Sequence, residues 1–141
     1  MKKFSFSMQK ILDLREFEQK EAEAELGKAN AEVARIQREL EAVAKSRASV
    51  TKDCDSCLEN FSFYAQTEKY FIFLEQKQES LLKELAQAEL VAEEKRAVVR
   101  KAMQNVKVLE KLKENKFAQW KKDRLQEEEL AVDDVVSAAY N

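Results

Sequence analysis

The sequence predicts an all-α protein: a long antiparallel two-helix coiled-coil hairpin in which helix 2 overhangs helix 1. The 141 residues contain no Pro and one Gly, so the residues that most often interrupt helices are nearly absent. Good helix formers dominate the composition, and 37% of the residues are charged, as is typical of long helices and coiled coils. Two long segments also carry apolar residues at alternating steps of four and three, which is the spacing of a heptad seam.

Helix 1 is expected over about residues 7–52. Ser7 can cap its start, and ten of the thirteen seam positions from Met8 onward are apolar. A glycine at position 27 lies inside this helix and costs about 1 kcal/mol relative to alanine, with no reason for it visible in the sequence. The seam consists of Met8, Leu12, Arg15, Gln19, Ala22, Leu26, Ala29, Val33, Ile36, Leu40, Val43, Arg47 and Val50.

The chain is expected to reverse at about residues 53–56, within "VTKDCDSCLEN". Ser56 and Glu59 form a capping box, in which a hydroxyl and a carboxylate satisfy backbone N–H groups at a helix start. Helix 2 is therefore expected over about 57–130, followed by an acidic tail at 131–141, and the chain 1–141 forms a single coiled-coil domain. The second seam is apolar at ten of its positions: Leu74, Gln78, Leu81, Leu85, Ala88, Ala92, Lys95, Val99, Ala102, Val106, Leu109, Lys113, Lys116 and Trp120.

The expected register of the hairpin leaves part of helix 2 uncovered. Two helices joined by a short polar turn fold back antiparallel, and a turn centred between residues 54 and 55 places Met8 opposite Lys101. About 30 residues of helix 2, roughly 40 Å, then extend beyond helix 1, and Phe4 and Phe6 can cover only the first turn or so. Apolar residues without an internal partner mark an interface, unless the overhang folds back on itself. Those expected here are Leu109, Leu112, Phe117, Trp120 and Leu125.

Charge is distributed unevenly along helix 2. Residues 100–124 hold nine Lys or Arg against three acidic residues, a net charge of +6, whereas residues 125–141 have a net charge of −5. Phe117 and Trp120 within the basic run could stack on nucleic-acid bases. The lysines alternate with glutamates, however, and no nucleic-acid-binding fold is indicated, so no nucleic acid partner is expected.

Catalysis finds no support in the sequence. There is no phosphate-binding loop motif, no His to act as a general base, and no concave core in a two-helix coil. Cys54 and Cys57 form a C-x-x-C, but with no other Cys and no His they cannot complete a zinc site. We interpret them as incidental small apolar residues at the hairpin tip. No enzyme activity, cofactor or metal is expected.

Aromatic residues are concentrated just after the expected turn. Residues 61–73 contain six of the eleven Phe and Tyr residues. Helical spacing places Phe63, Tyr70 and Phe73 on a different face from Tyr64, Phe71 and Leu74, so one seam cannot bury both sets. The cluster is therefore either a docking surface at the hairpin tip or a local cluster that closes the coil.

Localisation follows from what the chain lacks. No stretch approaches the roughly 20 apolar residues of a transmembrane helix. The N-terminal "MKKFSFSMQK" also lacks the apolar region of a secretory signal. A cytoplasmic protein is expected.

Two segments resemble one family. "FSFSMQKILDLREFEQKEAEAEL", residues 4–26, resembles the N-terminal signature of FliJ-type flagellar export proteins, with paired aromatics followed by a leucine-rich helix start. "VLEKLKENKFAQWKKDRLQEEELAVDDVV", residues 108–136, is similar to their C-terminal block, with its "LEKLKE" core and acidic ending. The two segments lie at the two ends of the chain, in the order that the family has.

The resemblance implies a soluble component of the type III flagellar export apparatus. Family members form a coiled coil similar to the central stalk of rotary ATPases. Their terminal end enters the pore of the hexameric export ATPase and promotes ring assembly, and they contact the membrane export gate protein and bind empty export chaperones. The protein is then expected to be a monomer, peripheral to the inner face of the cell membrane at the flagellar base. A homodimeric structural coiled-coil scaffold with no export role remains the alternative.

The two candidate surfaces suit these roles, although the aromatic residues near the turn match no motif of the family. Binding to the ATPase ring is expected from Leu109, Leu112, Lys113, Lys116, Phe117 and Trp120. Binding to the export gate or another partner is expected from Tyr64, Tyr70, Phe71 and Phe73.

Overall fold

Two helices make up most of the described part of the protein. A computed structural model describes residues 3–55 and 61–140. Helix α1 spans Gln9–Asp55 and helix α2 spans Phe61–Tyr140, and the described residues contain no strand. The two helices pack against each other, and α2, with 80 residues, is much longer than α1, with 47. The predicted all-α hairpin with a longer second helix is therefore confirmed.

The helix bounds differ from the expected ones. α1 starts two positions later than expected, after a turn in which the Gln9 backbone N–H donates to the Phe6 carbonyl at 3.1 Å. It continues to Asp55, through most of the expected turn at 53–56, and α2 continues to Tyr140, through the expected acidic tail. Neither segment contains a Gly or Pro to end a helix. The expected start of helix 2 at Cys57 and the capping box of Ser56 and Glu59 lie outside the described residues.

The chain divides into two compact units, and each unit contains part of both helices. One unit comprises residues 22–99, and the other comprises residues 1–21 with residues 100–141. In the unit of residues 22–99, the core consists of Ile36, Val43, Leu74 and Leu81, with Leu40, Leu85 and Ala88 packed against it. In the other unit, the core consists of Leu12, Val106 and Leu109, with Phe6 and Met8 packed against it.

The heptad seams predict the core. Every buried apolar residue in the described part of the chain lies on one of the two predicted seams: Leu12, Ala22, Ile36, Val43, Leu74, Leu81, Ala92, Val99, Val106 and Leu109. Thr67, one heptad before Leu74, is also buried, and its Oγ1 donates to the Phe63 carbonyl at 2.8 Å. That bond satisfies the hydroxyl within its own helix, so the polar residue is accommodated in the apolar interface.

The predicted register is wrong. Met8 was expected to face Lys101, but it packs against the cluster that contains Val106 and Leu109. Lys113 Nζ donates to Gln9 Oε1 at 2.7 Å, whereas the predicted register places Gln9 opposite residue 100, which is about three and a half helical turns earlier on α2. The reversal lies later than expected, because α1 runs to Asp55 and α2 begins at Phe61. Each residue by which the reversal moves shifts the facing partner by two.

Ion pairs at helical spacing line the surface of α1. Arg35 donates from Nη2 to Glu32 Oε1 at 2.6 Å and from Nη1 to Glu39 Oε1 at 2.7 Å. The hydrogen bond from Arg35 lowers the pKa of the Glu32 carboxyl, and the same bond raises the pKa of Arg35. Arg35 also lies 3.9 Å from Glu84 of α2.

No helix among the described residues is long and apolar enough to span a membrane.

Candidate functional site

Three aromatic side chains meet where the segment preceding α1 crosses α2. We call Phe4, Phe117 and Trp120 the aromatic cluster. The ring centroids of Phe4 and Phe117 lie 5.1 Å apart at an interplanar angle of 70°, which is an edge-to-face contact. Trp120 lies 6.0 Å from Phe4 and stacks on Phe117 at 5.8 Å with an angle of 17°. The cluster therefore ties the residues before α1 to α2 in the unit that contains both.

The residues beneath the aromatic cluster explain its position. Leu109 is buried against Leu12 and Val106, and one turn later Lys113 occupies the next seam position. A lysine cannot pack there as a leucine would, and its ammonium instead donates to Gln9. The apolar seam ends at this polar pair. Beyond it, Phe4 supplies the apolar contact to α2.

Two basic side chains lie over rings of the aromatic cluster. Lys121 Nζ lies 4.9 Å from the centroid of the Phe117 ring, and the Arg124 guanidinium lies 5.5 Å from the Trp120 ring. Cations over aromatic faces contribute about 0.5–1 kcal/mol at exposed sites. Phe117 is 39% exposed and Trp120 is half-buried, so both rings keep accessible area. The cluster can therefore offer a partner an aromatic surface that carries two cations, next to grooves that contain both acidic and basic residues.

A second aromatic surface lies at the start of α2. Tyr70 and Phe73 stack with their ring centroids 6.2 Å apart and are 39% and 55% exposed. Tyr64 is 51% exposed, whereas Phe71 is half-buried beside the buried Leu74. The helix buries one face here and leaves aromatic side chains on its others, so local closure of the coil does not account for them all. We call Tyr64, Tyr70, Phe71 and Phe73 the α2-start patch.

A known protein family matches a stretch of the chain that includes both candidate surfaces. The model of the flagellar FliJ protein family matches residues 4–141. The chain belongs to the flagellar FliJ protein family. The match includes the aromatic cluster, the α2-start patch and everything between them, so the likeness seen at the two ends extends through the middle of the chain. The family identifies the protein as a component of the flagellar export apparatus. Comparisons with curated proteins and with solved structures give no match.

The structure of this FliJ-family chain separates the residues expected to bind the ATPase ring. The expectation that Leu109 lacks an internal partner is wrong, because Leu109 is 8% exposed and packs against Leu12. Leu112 and Lys113 are half-buried. Phe117 and Trp120, also expected to be uncovered, contact Phe4. These residues are more covered than predicted because the chain reverses direction later than expected. The residues that precede α1 therefore lie against a part of α2 that was expected to be uncovered.

Two further candidate residues of the FliJ-family chain are exposed. Lys116 is exposed, and Leu125, the last residue expected to lack an internal partner, is 59% exposed. From Lys121 to Tyr140 every residue of α2 is exposed. We call residues 121–140 the C-terminal segment.

Sequence reasoning missed two contributors to these surfaces. Phe4 was expected to cover only the beginning of the overhang, yet it contacts both Phe117 and Trp120. Ile72 is 50% exposed beside the α2-start patch and shares its helix face with Phe61, which is 84% exposed. Their spacing of eleven residues, close to three helical turns, was the signal that could have identified this pair.

The C-x-x-C motif lies only partly within the described residues. Cys54 belongs to the last turn of α1, and Cys57 lies outside the described residues. Among the described residues no group of three or more potential ligands could hold a metal ion.

Proposed function

We propose that this FliJ-family chain is a non-enzymatic stalk that binds the hexameric flagellar export ATPase through the aromatic cluster and promotes assembly and activity of the ring. The observation that supports the proposal is the aromatic cluster itself. Phe117 and Trp120 retain exposed area although Phe4 holds them, and basic residues flank them. The binding residues are revised accordingly: Phe4, Lys116, Phe117 and Trp120 contact the ring, and Leu109 supports them from the core.

The geometry suits a partner whose subunits change conformation around the stalk. Aromatic rings supply a large contact area on few rotatable bonds, so little conformational entropy is lost on binding. The cluster already has its rings in mutual contact, which reduces that loss further. The basic residues at 111–124 attract an acidic sleeve and accelerate encounter more than they set the affinity. Lys113, which is bonded to Gln9, positions the cluster.

The test is turnover of the cognate export ATPase measured against the concentration of the stalk. Phe117→Ala combined with Trp120→Ala is expected to abolish stimulation and to leave the helical circular dichroism signal intact. Phe17→Ala is the matched control, because Phe17 is 57% exposed in the same unit and lies outside the cluster. Equal stimulation by the double variant and the wild type would refute ring binding through these residues.

The charged residues allow a second measurement with the same assay. Lys116→Glu is expected to weaken stimulation at low salt and to have little effect at high salt, where exposed charges are screened. Lys111→Glu is the control for charge alone, because Lys111 pairs with Glu114 at 3.6 Å on the surface of α2. If the two charge reversals weaken stimulation equally, the net charge of the chain is responsible, and a specific contact of Lys116 is not.

The proposal extends to two further partners of the export apparatus. The α2-start patch contacts the membrane export gate protein, and the chain also binds export chaperones. The protein then acts at the inner face of the cell membrane, at the flagellar base, and engages the ring as a monomer. Exposed aromatic residues on several faces of one helix support a docking role for the patch. No cofactor enters this mechanism.

A homodimeric scaffold without an export role is the competing function. Light scattering at low micromolar concentration separates the two, because a scaffold requires an obligate dimer and a stalk is a monomer at that concentration. An obligate dimer that fails to stimulate the ATPase would favour the scaffold.

A further inference from the structure

The C-terminal segment carries an apolar stripe with no partner in the described part of the chain. Leu125 and Val132 are 59% and 60% exposed. They lie one heptad apart, so they share a face, and Ala118 one heptad before Leu125 continues it. A shallow surface depression on this face is lined by Leu125, Glu128, Glu129, Val132 and Asp133. Helices in proteins gain most of their stability when an apolar face packs against another element. A partner that covers this stripe would therefore stabilise the C-terminal segment.

Charges are placed symmetrically about Leu125. Lys121 and Lys122 precede it by four and three residues, and Glu128 and Glu129 follow it by three and four. Residues three and four positions away flank the same helix face. The helical turn before Leu125 therefore carries two positive charges, and the turn after it carries two negative charges. Both pairs flank the same apolar stripe.

This arrangement is complementary to itself when a second copy lies antiparallel. A two-fold axis through Leu125 would place Lys121 opposite the partner's Glu129, Lys122 opposite its Glu128, and Ala118 opposite its Val132. A symmetric dimer has every such contact twice, so the four charges of each copy are all matched. In a parallel dimer the same residues would place lysine beside lysine and glutamate beside glutamate.

The contacts within the chain leave these charges available. Lys122 and Glu129 take part in no ion pair among the described residues. Glu128 lies 3.4 Å from Arg124 in a pair that is about half exposed on both sides, and Lys121 lies over the exposed ring of Phe117. Exposed contacts of this kind contribute little and can be exchanged.

We propose that two copies of the chain associate reversibly as an antiparallel dimer through the C-terminal segment, with Leu125 on the two-fold axis. The interface covers about fifteen residues of one helix from each copy, from Ala118 to Val132, which is small by the standards of stable complexes. The dimer is therefore weak and forms at high protein concentration. At 100° per residue, Leu125 lies roughly 140° around the helix from Trp120 and roughly 80° from Phe117, and Lys121 lies between Phe117 and Leu125 in the sequence.

The proposal is tested by sedimentation equilibrium over roughly a hundredfold range of protein concentration. The wild type is expected to pass from monomer to dimer, and added salt is expected to raise the midpoint concentration. Lys121→Glu with Lys122→Glu is expected to raise the midpoint at least about tenfold, because four attractions become repulsions. Glu128→Lys with Glu129→Lys is expected to do the same, because it places lysine opposite lysine.

The decisive sample is the mixture of these two variants. Each variant repels itself, but in a mixed dimer every facing pair is again of opposite charge, so association is expected to return to at least the wild-type midpoint. A parallel or unspecific association would not recover in the mixture. A wild type that stays monomeric throughout, or a mixture no tighter than its components, would overturn the proposal.

A cross-link reports the alignment independently of the charges. With Cys54 and Cys57 both replaced by Ser, Ala118→Cys in one copy and Val132→Cys in the other are expected to form a mixed disulfide in preference to either homodisulfide. A preference for the Ala118→Cys homodisulfide would contradict the antiparallel alignment. ATPase stimulation by Glu128→Lys with Glu129→Lys is expected to stay intact, because neither residue belongs to the surface proposed to bind the ring. Failure of the dimer and failure of the proposed function are therefore distinguishable.

Discussion

Single residues decide how well each helix forms, and Gly27 is the clearest case. It lies inside α1 with an ordinary helical backbone and no positive φ angle. A Cβ atom added there would meet no other atom within 4 Å, leaving aside the helix's own nearby backbone. Glycine at such a position offers no close approach and adds backbone freedom to the unfolded chain. Nothing in the structure explains why it is there.

Replacing this glycine is expected to stabilise the protein. Gly27→Ala should raise the free energy of unfolding by about 1 kcal/mol, which is the difference in helix propensity between the two residues. The measurement is a thermal or urea melt followed by circular dichroism at 222 nm. Ala24→Gly, at an exposed position of the same helix, is the mirror control and should lower stability by a similar amount. A drop in stability for Gly27→Ala would show that the site has a packing role.

Ile36 is the residue on which the seam can be tested most sharply. It is 2% exposed in the cluster with Val43, Leu74 and Leu81. Ile36→Ala should lower the free energy of unfolding by about 2–5 kcal/mol, through lost burial and the cavity that remains. Leu40→Ala, at a half-buried position packed against the same cluster, should cost less. If both melts match the wild type, Ile36 does not occupy the core.

At the scale of the element, polar contacts adjust what the apolar seams establish. Lys113 bonded to Gln9 marks the point where the apolar seam of α2 ends. On α1, the pairs of Arg35 with Glu32 and Glu39 follow the spacing of three and four that brings helical neighbours together. Such surface pairs are screened by solvent, so they support the helices without determining their arrangement.

The pair of Glu32 and Arg35 makes the free energy of unfolding depend on pH. The hydrogen bond from Arg35 lowers the pKa of Glu32 below its ordinary value of 4.5 in the folded chain. The unfolded chain therefore takes up this proton first as the pH falls. The contribution is fully present above 4.5 and is lost as the pH drops through the lowered pKa. The group is exposed, so the effect is small.

Melts of wild type and Glu32→Gln at a series of pH values between neutrality and about 3 measure this contribution. Stability of the wild type should decline more steeply below the ordinary glutamate pKa than stability of the variant. Parallel curves for the two proteins would show that this carboxylate gains nothing from Arg35 on folding.

At the scale of the whole molecule, the two candidate surfaces lie in different units of the hairpin. The aromatic cluster belongs to the unit that contains residues 1–21, and the α2-start patch belongs to the unit of residues 22–99. This separation means that one surface can be disabled while the core of the other unit remains intact. Partners of the two surfaces can then be assigned by separate variants.

Tyr70→Ser combined with Phe73→Ser is expected to weaken binding to the export gate protein and to leave ATPase stimulation unchanged. Both rings are exposed and stack on each other, so their loss removes contact area without opening the core. Binding is measured by titration calorimetry with the soluble part of the gate protein, and circular dichroism reports folding. Leu90→Ser, 62% exposed on the same helix, is the control. Lost helicity without a separate binding defect would indicate that the patch only packs.

The sequence by itself determined the helices and the residues that line their interface. Ile36, Val43, Leu74 and Leu81 could be identified as core because heptad spacing is a local property, independent of which partner each residue meets. The same locality identified the aromatic residues of the α2-start patch, since any face beyond one seam must stay exposed. The family resemblance was also carried by contiguous segments.

Only the tertiary structure decided which residues face each other across the hairpin. A heptad pattern continues unchanged when two helices slide by a whole repeat, so the seams do not set the register; the position of the reversal does. The sequence placed the reversal too early, and the error doubled along the paired helices. That is why Leu109 proved to be core and why Phe4 reaches Trp120. The exposed stripe around Leu125 lies beyond these contacts, where the described chain supplies no second helix to cover it.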